Sequence, residues 1–184
     1  AEDTVIGVTR DGEARAYPFR VLNWHEIVND EFAGPLLVTY CPLCRSAVTA
    51  RRRVDGEATV FGVSGLLYRD ALVMYDEATD SLWSQLAARA IQGPMTGESL
   101  DLEQTTITTW GAWQADHPET AVLRPPPESD TVSSNSGTRN YNVNPYGGYD
   151  GSSRTGIGGG VEGGRLPAKA EGTGMPHGGG GPAS

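Results

Sequence analysis

The sequence predicts an α+β domain, mainly β, with many short antiparallel strands, two or three short helices and a glycine-rich C-terminal tail. Three observations predict it. Short runs rich in β-branched and aromatic residues recur at close spacing through the first two thirds of the chain. Asp-Gly pairs, the strongest short-range hairpin signal, stand between such runs at Asp11-Gly12 and Asp55-Gly56. Composition then changes after Leu123, where prolines and glycines replace large apolar residues.

The elements follow in order. Val5-Ile6-Gly7-Val8 and Ala14-Arg15-Ala16-Tyr17 read as a hairpin around Asp11-Gly12. Pro18 to Asn29 reads as a helix, with Pro18 suited to its first turn and Leu22, Ile27 and Val28 on one face. Leu36 to Tyr40 is an apolar strand, followed by the turn Cys41-Pro42-Leu43-Cys44 and the strand Ala47 to Ala50. Further strands are expected at Ala58–Val63, Ala71–Tyr75, Ser81–Gln85, Ala90-Ile91 and Thr105–Thr109. Trp110 to Asp116 reads as a short helix broken by Asp116-His117-Pro118. Residues 4–123 thus form one compact domain, and residues 124–184 an extension that starts at the stiff spacer Pro125-Pro126-Pro127. Such a glycine-rich stretch buries little surface against its chain entropy. If ordered, it is expected to lie along a groove or across a subunit boundary.

Charge and composition exclude some partners. The 184 residues carry 23 acidic against 14 basic side chains, a net charge of −9, and Lys169 is the only lysine. Acid-rich, lysine-poor surfaces suit a halophilic source, and a GC-rich genome gives the same bias. A negative field argues against nucleic acid, whose phosphates need clustered cations. Nothing approaches the ~20 apolar residues of a membrane span. A start at Ala1 without methionine fits a processed mature protein or a trimmed chain.

Cys41 and Cys44 are the only cysteines. At this spacing two thiols can close a small disulfide, clamp a soft metal, cycle as a redox pair, or stay reduced as structural thiols. As a staple the pair closes too short a loop to add much stability. As a metal site it needs further donors, with His25 the first candidate and Met74 a weaker one. Two Cys, one His and a soft Met favour copper, and zinc is the other candidate. As a redox pair it follows a strand, though no βαβ pattern precedes it.

Other motifs weigh less. Gly62-Val63-Ser64-Gly65 lacks the spacing of a nucleophile elbow, and a β-bulge is its plainer reading. Ser64, Tyr68, Trp83, Ser84 and Gln85 are candidates to line a pocket. In Ser81–Gln85, alternation sets Leu82 and Ser84 against Ser81, Trp83 and Gln85. Asp70, Asp76, Glu77 and Asp80 read as a solvated acidic surface around a turn, since their spacing does not match a calcium loop.

Several segments together resemble a known family. They include Asn23-Trp24-His25-Glu26-Ile27, Thr39-Tyr40-Cys41-Pro42-Leu43-Cys44-Arg45-Ser46, Phe61-Gly62-Val63-Ser64-Gly65, Met74-Tyr75-Asp76, Ser81-Leu82-Trp83-Ser84-Gln85 and Asn144-Pro145-Tyr146-Gly147-Gly148-Tyr149. Over roughly residues 5–149 the chain resembles domain-of-unknown-function family 3179. The resemblance implies an exported protein, extracellular or at the cell surface, and a shared site at the positions of His25, Cys41, Cys44, Ser64, Met74, Trp83, Ser84 and Gln85. It implies no reaction. Near Glu171-Gly172-Thr173 the chain departs from the pattern, where a further strand is expected.

The functional expectation is an exported binding protein with a copper, zinc or thiol-redox site at the Cys41–Cys44 turn. The alternative is an assembly protein, a homo-oligomer or filament subunit. Its extension would contact neighbours through Tyr141, Tyr146 and Tyr149. A hydrolase or other enzyme using Ser64 or the acidic cluster ranks last.

Overall fold

The computed structural model describes residues 2–126, 139–150 and 172–173. It is strand-rich, with three short helices among the described residues. Strands β1 (Thr4–Arg10) and β2 (Glu13–Pro18) form the first hairpin. Asp11 and Gly12 both take positive φ, 49° and 83°, as the tight turn between twisted strands requires. Helix α1 (Phe19–His25) follows, then β3 (Ile27–Glu31), β4 (Pro35–Cys41) and β5 (Ser46–Arg51). A small hairpin of β6 (Arg53–Val54) and β7 (Glu57–Ala58) precedes β8 (Phe61–Tyr68) and β9 (Ala71–Asp76). Then come β10 (Leu82–Ser84), β11 (Arg89–Gln92), β12 (Thr106–Thr109), α2 (Trp110–Asp116) and β13 (Ala121–Val122). In the extension lie α3 (Gly147–Asp150) and β14 (Gly172–Thr173).

The strands make three four-stranded sheets, in the orders β12-β1-β2-β13, β14-β5-β4-β3 and β11-β10-β9-β8. Pairing is antiparallel except for β13 on β2 and β14 on β5. The β3–β5 sheet lies between the other two. Leu37 and Cys41 of β4 enter one core cluster with Met74, Trp83 and Phe61 of the β8–β11 sheet. Leu36, Val38 and Tyr40 enter a second cluster with Ile6, Tyr17, Phe19 and Leu22. Each such fully buried apolar side chain contributes roughly 1.5–3 kcal/mol relative to exposure. The Asp30 carboxylate also ties the layers, accepting from Arg15 Nη1 and Tyr17 Oη, each at 2.7 Å.

Two sequence expectations are corrected. The helix expected over Pro18–Asn29 ends at His25, because Glu26 takes φ 59° and its N–H closes on the Leu22 carbonyl. Ile27 and Val28 then pair with Thr39 and Val38, where β-branched side chains fit a pleated surface. The strand expected over Ala58–Val63 is split at Thr59-Val60, and β8 runs on to Tyr68. Its pairing with β9 shifts register between Val63 and Leu67, the bulge read at Ser64. Trp110–Asp116 is helical as expected, with the Thr109 side chain capping the Ala112 N–H.

Gly7 of β1 lies directly under the Trp113 ring of α2, and a Cβ there would overlap the indole. Gly7→Ala is expected to destabilise the domain by roughly 1–3 kcal/mol through this overlap. Urea unfolding would show a lower midpoint at an unchanged m-value, and a midpoint equal to that of the parent would contradict the packing.

Candidate dithiol site

The register of the central sheet builds the site. Thr39 pairs with Val48 and Cys41 with Ser46, so Thr39, Cys41 and Ser46 share the face turned toward β8–β11. Gln85, at the end of β10 and fully buried, reaches across the gap. Its Nε2 donates to Thr39 Oγ1 at 3.1 Å and to the Ser46 carbonyl at 3.2 Å. Thr39 Oγ1 donates onward to the Val48 carbonyl at 2.9 Å. Ser46 Oγ donates to Gln85 Oε1 at 3.0 Å and lies 3.0 Å from Cys44 Sγ. Buried polar groups must be paired, and these pair with one another across two sheets.

Cys41 and Cys44 are both free thiols, Cys41 buried and Cys44 half-buried. They behave differently. The Cys41 thiol donates to the Cys44 sulfur, which drives the Cys44 pKa down to about 7 against the opposing effect of burial. The Ser46 hydroxyl and N–H lower it further. Donation to Cys44 pushes the Cys41 pKa up, and burial adds to this. Cys44 is therefore the thiolate-forming member and Cys41 holds its proton. Ser46 has a single proton. With Cys44 protonated, the thiol can donate to Ser46 while Ser46 serves Gln85. With Cys44 ionised, the hydroxyl turns to sulfur and leaves Gln85 Oε1, so the thiol's charge is coupled to the buried network.

The extension folds back on this end of the domain. Tyr149 Oη donates to the Leu43 carbonyl within the cysteine turn at 2.9 Å. Tyr146 Oη donates to Glu26 Oε1 at 3.0 Å. Tyr141 Oη lies 2.7 Å from His25 Nε2, and Trp24 Nε1 donates to the Val143 carbonyl at 3.2 Å. β14 pairs with β5 at Ser46 and Ala47. Between α1, the turn and the extension lies a cleft of about 280 Å³, whose lining includes Arg20, Asn23, Pro42, Arg45, Asn144 and Tyr146. Tyr141, Tyr146 and Tyr149 contact their own chain.

The structure separates the sequence-derived candidates. Among the described residues no three His, Cys, Asp or Glu side chains gather into a metal-holding group. His25 is turned to Tyr141 and does not complete a three-donor set with Cys41 and Cys44. Met74 is buried in the same core cluster as Cys41, backed by Trp83. Ser64 is held in the β8 bulge, its Oγ donating to the Val73 carbonyl at 2.6 Å and accepting from Leu66 N. Trp83 Nε1 donates to Asp76 Oδ2 at 2.9 Å inside the core. Ser84 is buried and accepts weakly from Ala87 N, at 3.4 Å. Tyr68 stands on the exposed end of β8 with Leu66 and Leu67. Neither described cavity is lined by Ser64, Tyr68, Trp83, Ser84 or Gln85. Of these five, Gln85 alone bonds to the cysteine turn's neighbours.

Asp76 also departs from the solvated-surface reading. It is fully buried and takes Thr79 N–H, Thr79 Oγ1 and Trp83 Nε1, which locks the turn between β9 and β10.

Sequence reasoning missed Thr39, Ser46 and the Tyr146–Glu26 pair. For Thr39 and Ser46 the signal was a polar residue on the inward side of an otherwise apolar strand. Glu26 carries the strain of a non-glycine residue at positive φ, roughly 1–3 kcal/mol, a feature that clusters at functional sites.

Fold and site together define a β-rich domain with two free thiols at one turn, one buried and one half-buried. A family model described as "Protein of unknown function (DUF3179)" matches residues 1–183, and the chain belongs to that family. No curated protein and no solved structure matches the chain.

Gln85→Ala would remove one partner each from Thr39 Oγ1, Ser46 Oγ and the Ser46 carbonyl and open a cavity, so it is expected to cost roughly 2–4 kcal/mol. A loss below 0.5 kcal/mol on denaturation would show that the network carries little. His25 gives a pH prediction. Burial, then the Arg139 charge, holds its pKa below the usual 6.5. A depressed value means stability is full above 6.5 and is lost as pH falls toward the folded value. Amide exchange in residues 139–150, corrected for intrinsic rates, is expected to quicken from pH 7 to pH 5. His25→Gln should abolish that difference.

Proposed function

We propose that this is an exported thiol–disulfide exchange protein, with Cys44 as attacking thiolate and Cys41 as resolving thiol. The observation that carries the reading is the unequal pair itself. Cys44 is the more exposed sulfur and is stabilised as thiolate by Cys41 and Ser46, while Cys41 is buried and protonated. A thiol with pKa near ambient pH combines thiolate fraction with nucleophilicity.

The steps balance. Cys44 thiolate attacks a disulfide R–S–S–R′, forms Cys44–S–S–R and expels R′S⁻. Cys41 gives up its proton and attacks Cys44 Sγ, expelling RS⁻ and closing Cys41–Cys44. Two electrons pass from the dithiol to the target, and reversal oxidises a target dithiol. A small closed loop suits this cycle, because it adds little stability to the oxidised state. Export would place the pair where partner disulfides form and persist. Among the described residues no further donor gathers with the two thiols, which favours the redox reading over copper or zinc. Residues 151–171 and 174–184, which would serve a neighbouring copy in an assembly role, lie outside the described residues.

The test is alkylation and exchange. Iodoacetamide should modify Cys44 with a midpoint near pH 7 and leave Cys41 unmodified until the protein is unfolded. Cys41→Ser should trap a mixed disulfide with a disulfide-bonded probe, and Cys44→Ser should abolish exchange. Ser46→Ala should slow exchange at pH 7 roughly fivefold by removing one hydrogen bond to the thiolate. Equal reactivity of both thiols, with a midpoint above pH 8.5, would refute the assignment.

A further inference from the structure

The cleft beside the cysteine turn continues along helix α1. A second cavity of about 270 Å³ adjoins the first, and Asp3, Arg20, Asn23 and Asn144 line both. Arg20 and Asn23 stand three residues apart and so share one face of α1, opposite the buried Val21 and Leu22. The extension forms the other wall at Tyr141, Asn142, Val143 and Asn144. Three hydrogen bonds pin that wall to the domain: Trp24 on the Val143 carbonyl, Tyr141 with His25, and Tyr146 on Glu26. The groove is therefore preformed, as small-ligand sites usually are.

Much of the polar lining is uncommitted. Among the described residues, the Arg20 guanidinium, the Asn23 and Asn142 amides and the Glu2 and Asp3 carboxylates have no side-chain hydrogen bond or ion pair. Arg20 and Asp3 line the same space with opposite charges and are not paired with each other. The aromatic residues differ. Tyr141 and Tyr146 have their hydroxyls on His25 and Glu26, so ring surface is what they offer the groove. Phe19 adds another ring in the first cavity.

This balance of groups selects a ligand. A guanidinium only donates, a carboxylate only accepts, and an amide does both. An anion would suit Arg20 and Arg45 but be repelled by Glu2 and Asp3, and a cation would meet the reverse. An apolar ligand would strand all of these groups. A sugar ring satisfies them. Each hydroxyl both donates and accepts, and neighbouring hydroxyls match the planar edge of an amide, carboxylate or guanidinium two at a time. Its C–H face packs on an aromatic ring. An amino-acid zwitterion would use only the charged groups, whose exposed ion pairs contribute little.

We infer that this groove binds a neutral carbohydrate, an oligosaccharide with one ring in each cavity. Asp3, Arg20 and Asn23 stand where the cavities meet and bond to hydroxyls on either side of the linkage. Asn142 serves the ring in the second cavity and Glu2 the ring in the first. Neither Cys41 nor Cys44 lines the groove, so the site is independent of the thiol-exchange reading.

The test is a printed array of neutral oligosaccharides probed with the labelled full chain. The strongest ligand is then titrated into isotope-labelled protein and amide chemical shifts are followed. Shifts are expected at Arg20, Asn23 and residues 142–144. Asn23→Ala, Asn142→Ala and Arg20→Ala, each at a site with no partner to lose, should keep the parent's urea midpoint and weaken binding at least ~5-fold, as loss of a hydrogen bond does. Raising salt to ~1 M, which screens exposed charge, should change the affinity less than ~2-fold. Array signals no higher than those of the Asn23→Ala/Asn142→Ala double variant would overturn the assignment, as would shifts confined to another surface. Binding of glycylglycine that Arg20→Ala and high salt abolish, with no oligosaccharide bound, would replace it by a zwitterion site.

Discussion

The structure depends on β4 being buried on both faces. Leu36, Val38 and Tyr40 pack toward the β1–β2 sheet, and Leu37, Thr39 and Cys41 toward β8–β11. A strand in that position has no face for solvent, so a slip of one residue would exchange its two sets of side chains. Leu36 and Leu37 tolerate either side, but Tyr40 and Cys41 do not. Tyr40 packs on Phe19 with ring centroids 4.1 Å apart. Cys41 faces Leu72 and Met74. The register that satisfies the cores therefore also delivers the first thiol to an interior, protonated setting.

Burial of β4 forces the polar chemistry beside it. Thr39 and Ser46 are polar side chains on a face that the opposing sheet covers, and each needs partners without water. Gln85 is the residue that reaches them, and its amide can serve both because β10 ends opposite β5. The network holds Ser46 next to Cys44 and so contributes to the acidity of that thiol. Electrostatics at the site thus descends from packing. The sulfur pair is asymmetric because one member continues a core strand and the other sits past the turn.

The extension completes this end of the molecule. Its tyrosines meet His25, Glu26 and the Leu43 carbonyl, and β14 returns the chain to Ser46. Each tyrosine contact is made by a side chain with a polar tip on an aromatic body, suited to a surface that is apolar beside α1 and polar at the turn. A net charge of −9 leaves few cations near the site. Arg20 and Arg45 in the cleft are therefore prominent.

Much of the fold was legible in the chain because its signals are local. Asp11-Gly12 and Asp55-Gly56 require positive φ and so announce hairpins. Trp110–Asp116 carries its own cap and its own stop. Ser64 read as a bulge because glycines flank it. The Cys41–Cys44 turn stood out as the only thiols after an apolar run, and Gln85 was named with its neighbours. The helix end at Glu26 was not legible, because the pull that ends it comes from β4, whose backbone bonds recruit Ile27 and Val28. Nor was the placement of Asp76, whose burial follows from Trp83 needing an acceptor. By itself the sequence determined the hairpins, the strand-rich class, the thiol pair and the acidic charge balance. Each of these follows from residues within a few positions of one another. Only the tertiary structure decided which sulfur is buried, that Gln85 bridges two sheets, and that Tyr146 meets Glu26. The last two depend on groups 39 and 120 residues apart in sequence, and the first on a desolvation that exists only once the layers close.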